Sequence, residues 1–393
     1  MANILIVSCI GALMRYKIGF DFPFCDQKYM QHAHSHFAFS GWVTHTLYTL
    51  MVWWIGKELP SLRMGKYRRM MAINLICAYG MLASFFLGGY SASSILFSQA
   101  SIINSYVFAY LYIKDLKALK HHPTTKWFKA ALCFGVFSSL GTYVLAYMMV
   151  SRHVLQSVYL GSIYFYLHFQ YNGWFFFACS GLLVSRMKDV IPGFSDDRTA
   201  FRLFLYSCLP AYLLSALWLD LPAWLYCIVV VASVMQILGW LRTLRSLKQN
   251  FKVLKDNLSS FSWIVFIAIA ISLTVKFLLQ LASVIPAVSQ LAFGFRPIVI
   301  AYLHLVLLAI ISLFLLNFMF SFNFLRTSKL AAYGFVCFTI GVYLNEVLLG
   351  IQGIASLSYT LVPKINELLF AVSILVFLSL IAVFASQLKK ARQ

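Results

Sequence analysis

Charged side chains are scarce in this 393-residue chain: Asp, Glu, Lys and Arg make up 11% of it, whereas 62% is hydrophobic. Soluble domains carry about a quarter charged residues, so a soluble globule is excluded and an integral membrane protein is expected. Acidic residues are scarcer still, 11 against 31 basic ones. The resulting net charge of +20 does not point to nucleic acid, because the basic residues fall in short links between apolar runs. Paired cysteines are missing too. The eight cysteines show no CxxC spacing, which argues against a disulfide framework or a zinc site and leaves them as small core residues. No low-complexity tract occurs, and no link is long enough for a separate soluble domain. The basic Arg15 and Lys17 follow the first apolar run instead of preceding it, so residues 2–20 read as a membrane helix and not as a cleaved signal.

What is present is apolar length. A helix needs about 20 apolar residues to cross a bilayer, and such windows fall at 2–20, 32–56, 69–89, 94–114, 128–150, 157–185, 200–219, 222–242, 259–284, 295–321, 328–350 and 366–387. The expected fold is all-α and polytopic, with about twelve transmembrane helices. Twenty-four of the 31 basic residues lie after even-numbered helices, including the last cluster, Lys389 to Arg392. That bias places both termini in the cytoplasm, in what is read as a bacterial inner membrane.

Histidine supplies the organising pattern. His32, His34 and His36 stand at alternate positions and run into an apolar segment; His36-Phe37 and Gly41-Trp42 return as His168-Phe169 and Gly173-Trp174. His304 follows, the separations being 132 and 136 residues. One unit used three times is implied, near 1–126, 127–256 and 257–393 of a single transmembrane domain with pseudo-threefold arrangement. His36, His168 and His304 then fall at one depth on helices 2, 6 and 10. Intramembrane histidines are rare and face the protein interior, and neutral imidazole is a common metal ligand. A converging trio could bind copper or iron directly, or two of them could clamp a haem from opposite sides. His32 and His36 share a helix face while His34 points elsewhere, so which of the three is a ligand stays open at a helix start. His45 and His153 read as buried structural residues, His121 and His122 as solvated ones.

Further interior polar groups suggest proton movement. Lys276 and Glu346 are each costly at a helix centre; a pair between them would offset part of both, as an ion pair or as part of a proton path with Asn172. Trp53 and Trp54 suit an interfacial belt, and Gly41 and Gly173 permit close helix approach.

Twelve helices in three arcs, cytoplasmic termini, and histidines on helices 2, 6 and 10 resemble subunit I of the haem-copper oxidase superfamily. The resemblance implies a haem ligand, for a haem b, at His36 or His34 together with His304. His36 and His304 form the favoured pair, and the resemblance implies a copper or iron ligand at His168. Residues 200–219 lack the family's paired histidines, and Asn172 stands where some members carry tyrosine. Oxygen reduction is therefore not expected. Electron transfer or nitric oxide chemistry by an oxidoreductase is, with a quinol or a redox protein as donor, a lipid bilayer as surroundings and further subunits as partners. The alternative is a proton-coupled or solute transporter using the intramembrane histidines, Lys276 and Glu346.

Overall fold

The computed structural model describes residues 1–219, 221–289 and 295–388. The basic cluster from Lys389 to Arg392 lies outside them. The described residues are helical and contain no strand. In chain order the long helical stretches are α1 (Ala2–Gly19), α2 (27–58), α3 (Gly65–Gly88), α4 (Ala92–Asp115), α5 (Pro123–Ser151) and α6 (156–190). They continue with α7 (198–216), α8 (Ala223–Gln249), α9 (Ser260–Ala282), α10 (296–321), α11 (Lys329–Leu357) and α12 (Ile365–Leu388). Nine of them, all but α2, α6 and α7, are long and apolar enough to cross a membrane among the described residues. The three others are rich in polar and aromatic side chains.

Several boundaries differ from the apolar windows. α2 begins at Gln27 and not near residue 32, because Asp26 caps it: its carboxylate accepts from Lys28 N at 2.8 Å and Tyr29 N at 3.0 Å. His32 to His36 therefore sit well inside the helix. α7 is not one α-helix; Pro210 brings no N–H, and the chain tightens into a 3₁₀ turn over Pro210–Ala216. The basic segment expected as a loop after residue 242 is instead helical, through Gln249 and again over Phe251–Asp256. His153 is exposed and not buried, since Arg152 takes a left-handed conformation (φ 55°) that ends α5 just before it. His122 is not merely solvated: its ring caps α5 by accepting from Thr124 N at 3.3 Å. Cys9, Cys133, Cys227 and Cys337 are exposed on helix surfaces and are not core residues, while Cys77 and Cys208 are buried.

The repeat has a backbone counterpart. A π-helical turn follows each of the three histidines: Ala38–Thr44 after His36, Phe169–Phe175 after His168 and Leu305–Ser312 after His304. The wider turn breaks the regular i→i−4 ladder and leaves carbonyls that need other donors. In α2, Asn74 Nδ2 donates to Ser40 O at 3.2 Å and Asn3 Nδ2 to Gly41 O. In α6, Cys208 Sγ lies 3.8 Å from Asn172 O, and Asn172 is the counterpart of Ser40. In α10, Ser312 Oγ donates to Leu307 O at 2.8 Å.

The helices pack as two compact units, and their boundaries do not follow the repeat. One unit holds residues 1–108, 260–269 and 300–393, the other 109–259 and 270–299. In the first, α1 packs on α2 and α12, α2 on α3, and α11 on α12. Trp42 Nε1 donates to Ser312 Oγ at 2.9 Å, so the π turns of α2 and α10 meet directly. In the second unit α5 lies along α6 and α7 along α8. Gly141 is the tightest point there: a Cβ on it would stand 2.5 Å from the Ser162 carbonyl oxygen.

Candidate functional site

The register of α2 divides its histidines between two neighbours. His32 and His36 look toward the end of α3, where His36 stacks on Phe85 (centroids 4.2 Å apart, planes at 17°) and His32 meets Tyr90 edge-on at 4.7 Å. His34, about 200° round the helix from His36 at 100° per residue, faces α1. There Gly11 makes room, since a Cβ on it would come within 3.2 Å of the His34 ring. His34 also hydrogen-bonds the backbone of Val7. Its Nδ1 is buried and has no hydrogen-bond partner.

His34 lies within electrostatic reach of His304 on α10, and both lie within reach of Arg15 on α1. His304 is held by its own helix: Nδ1–H donates to Ile300 O at 2.9 Å, because a carbonyl can only accept. The assignment leaves the lone pair on Nε2, the form in which imidazole binds a metal. Arg15 in turn lies within reach of Glu346 on α11, whose carboxylate accepts from Asn345 Nδ2 at 3.3 Å. Four helices of the first unit thus carry His304, His34, Arg15 and Glu346, each partly buried and each within electrostatic reach of the next. The histidines among them are the His34 and His304 of the sequence reading; His36 is turned away toward Phe85.

In the second unit His168 is 1% exposed and fully engaged. Its Nε2–H donates to Cys208 O at 2.9 Å, and its Nδ1 accepts from Asn172 Nδ2 at 3.1 Å. Both ring nitrogens are spent on the protein, so in this arrangement neither offers a lone pair to a metal. Lys276, 3% exposed, donates to Gln280 Oε1 at 3.1 Å and sits over the rings of Phe277 (4.2 Å) and Phe176 (5.7 Å). Cation–π contact and an amide take the place of a carboxylate. Lys276 and Glu346 belong to different units, and the partners named for each lie within its own unit.

Among the described residues no group of three or more His, Cys, Asp or Glu side chains is placed to hold a metal ion. Two imidazoles suffice only when the remaining coordination positions come from elsewhere, as a porphyrin supplies them. A bare copper or zinc site asks for three or four protein ligands. The orphaned His34 Nδ1 and the oriented His304 are two nitrogen donors, the number that a porphyrin-held iron asks of a protein and fewer than a bare ion asks. Arg15 and the Asp26 cap of α2 escaped the sequence reading. An Asp directly before a polar helical run is the signal that would have found the cap and fixed the histidine register. Comparison with protein-family models and with curated proteins finds none that matches the chain.

Proposed function

We propose that this is a polytopic membrane protein of twelve spans in three four-helix repeats that holds one haem, of the b type, between His34 and His304. The observation that carries the reading is the buried His34 Nδ1, without a partner, on a residue within electrostatic reach of a second imidazole whose Nδ1–H is pinned to Ile300 O. An imidazole kept dry and unsatisfied costs stability, and a metal–nitrogen bond is the compensation that matches its lone pair. When bound, the iron would exchange single electrons with a quinol or a redox protein, serving electron transfer or nitric oxide chemistry. The chain's part is to orient the two rings, to exclude water, and to set Arg15 within reach of both, with the Glu346 carboxyl within reach of Arg15 in turn. The excess of basic residues in alternate links supports cytoplasmic termini in a bacterial inner membrane.

The test is an oxidised and reduced absorption spectrum of the purified full chain, with haem and metal analysis. A Soret band with about one haem per chain, lost in His34→Ala and in His304→Ala but kept in His36→Ala, is expected. A colourless, haem-free protein from haem-replete cells overturns the reading.

A second reading, proton-coupled transport, rests on Glu346 lying within reach of Arg15, and Arg15 within reach of His34 and His304. Solute uptake into liposomes that survives loss of both His34 and His304 but not of Glu346 would favour it.

A further inference from the structure

Lys276 puts a cation into the interior of the second unit, where it is 3% exposed. Among the described residues no carboxylate pairs with it, and the titratable groups within its reach are the Cys208 thiol and the His168 ring. An ammonium has three N–H donors. One goes to Gln280 Oε1 at 3.1 Å, and the charge lies over the faces of Phe277 and Phe176. Two donors are left over.

The neighbouring helices bring acceptors to the same level. Trp240 Nε1 donates to Thr274 Oγ1 at 2.9 Å and the Tyr226 hydroxyl to the Val284 carbonyl, so α8 and α9 run antiparallel with Gln236 opposite the Lys276–Gln280 turn. Gln236 stands four residues before Trp240 and shares its face of α8. It is 5% exposed, and its Oε1 is buried without a partner. On α6, Asn172 lies about one turn before Phe176, a ring that Lys276 overlies, and is also 5% exposed. Its Nδ2 is committed to His168 Nδ1 at 3.1 Å. The buried, unpartnered Asn172 Oδ1 therefore cannot be traded for the NH2 by turning the amide. Aromatic rings pack beside this polar layer: Phe204 meets Phe176 at 4.9 Å and Phe277 at 5.8 Å, and Trp240 meets Phe277 at 5.9 Å.

Amide oxygens and ring faces share one preference: they stabilise positive charge without adding negative charge. An anion would be repelled by the fixed Asn172 oxygen, and an apolar group would leave both oxygens unmet at a cost. We infer that the second unit encloses a site for a primary ammonium ion, built from the amide oxygens of Asn172, Gln236 and Gln280 and the faces of Phe176 and Phe277, with Lys276 as its tethered occupant. A chain that lacks the amine takes a free alkylammonium ion in its place. The site involves neither His34 nor His304 and does not depend on the haem.

Thermal melts of the purified full chain in detergent test this. Lys276→Ala removes a side-chain segment with the outline of n-propylammonium. The variant should melt lower than the parent and regain most of the loss, saturably, with n-propylammonium chloride. Neither n-propanol nor sodium chloride at the same concentration should do so, and the parent should not respond. Gln236→Glu gives a reading that does not need the alanine variant to fold. A carboxylate beside the ammonium should raise the parent's melting temperature by about 2 to 4 °C and lower that of Lys276→Met by a similar amount. Equal recovery with n-propanol, an equal shift in the parent, or no saturable recovery in a folded Lys276→Ala overturns the site. So does a Gln236→Glu shift of one sign in both backgrounds.

Discussion

His34 and His168 occupy neighbouring positions of one repeated pattern, yet their surroundings differ in the respect that decides chemistry. In the second unit His168 donates a hydrogen bond to Cys208 O and accepts one from the Asn172 amide, so both of its ring nitrogens are met within the protein. In the first unit His34 keeps a buried nitrogen unmet, and His304, within electrostatic reach of it, makes one bond to its own helix. A satisfied imidazole adds rigidity to a core; an unsatisfied one is a cost that a ligand can remove. The π turns beside them tell the same story from the backbone. They follow His36, His168 and His304 alike, while the side chains around each histidine differ.

The largest effect should come from exchanging the two histidines as targets. His304→Ala should abolish the Soret band while leaving the folded fraction nearly unchanged. His168→Ala should keep the band yet lower stability by about 2 to 3 kcal/mol, because Cys208 O and the Asn172 amide lose their buried partner. Absorption spectra and thermal melts of both variants check this. Equal spectral loss in the two would erase the distinction between the units.

Much of this architecture was legible in the residues themselves. The apolar windows locate the long helices, and the recurrence of His-Phe and Gly-Trp marks two corresponding stretches of the chain. The π turns were not legible, because nothing in Ala38–Thr44 forbids an α-helix; the wider turn depends on Asn3 and Asn74 arriving from other helices. Which of His32, His34 and His36 faces α1 was open for a related reason. Counting from the first apolar residue started α2 about a turn too late, and the Asp26 cap lies in a stretch too polar for a hydropathy window. Charge alone does not choose the partners of a buried lysine; packing within its own unit also does. Two Phe rings and an amide serve Lys276 without a carboxylate.

Two glycines sharpen the contrast at an intermediate scale. Gly141→Ala sets a Cβ 2.5 Å from Ser162 O and 3.0 Å from Tyr166 N. Both are backbone atoms, so α5 and α6 must part, at about 1 to 3 kcal/mol. The second unit should lose stability with no spectral change. Gly11→Ala meets only the His34 ring, at 3.2 Å. It should cost less than about 1 kcal/mol in melting but displace the ring and reduce haem occupancy several-fold, as pyridine haemochrome titration would show.

The smallest expected effect concerns charge at the opposite kind of position, an exposed link. Asp197 caps α7, accepting from Thr199 N at 2.8 Å and Ala200 N at 3.1 Å, and it also accepts from Arg242 Nε at 2.8 Å. Partial burial pushes its carboxyl upward, but the bond from Arg242 and the two backbone donors outweigh that and hold it below the usual aspartate range. A group whose folded pKa is depressed contributes stability above its unfolded value, near 4, and loses it as pH falls through the folded one. Melting should therefore be insensitive to Asp197 between pH 7 and about pH 5 and decline below about 4. Because Arg242 is half exposed, with a side chain at 50%, water screens the pair and its share is a few tenths of a kcal/mol. Asp197→Asn should lose only that share, whereas Asp197→Ala also gives up the cap, about 1 kcal/mol more. The cap of α2 offers the control, since Asp26 receives two backbone donors and no arginine bond is recorded to it. If Asp26→Asn shifted the acid limb of the melting profile as much as Asp197→Asn does, the arginine bond would not be the cause.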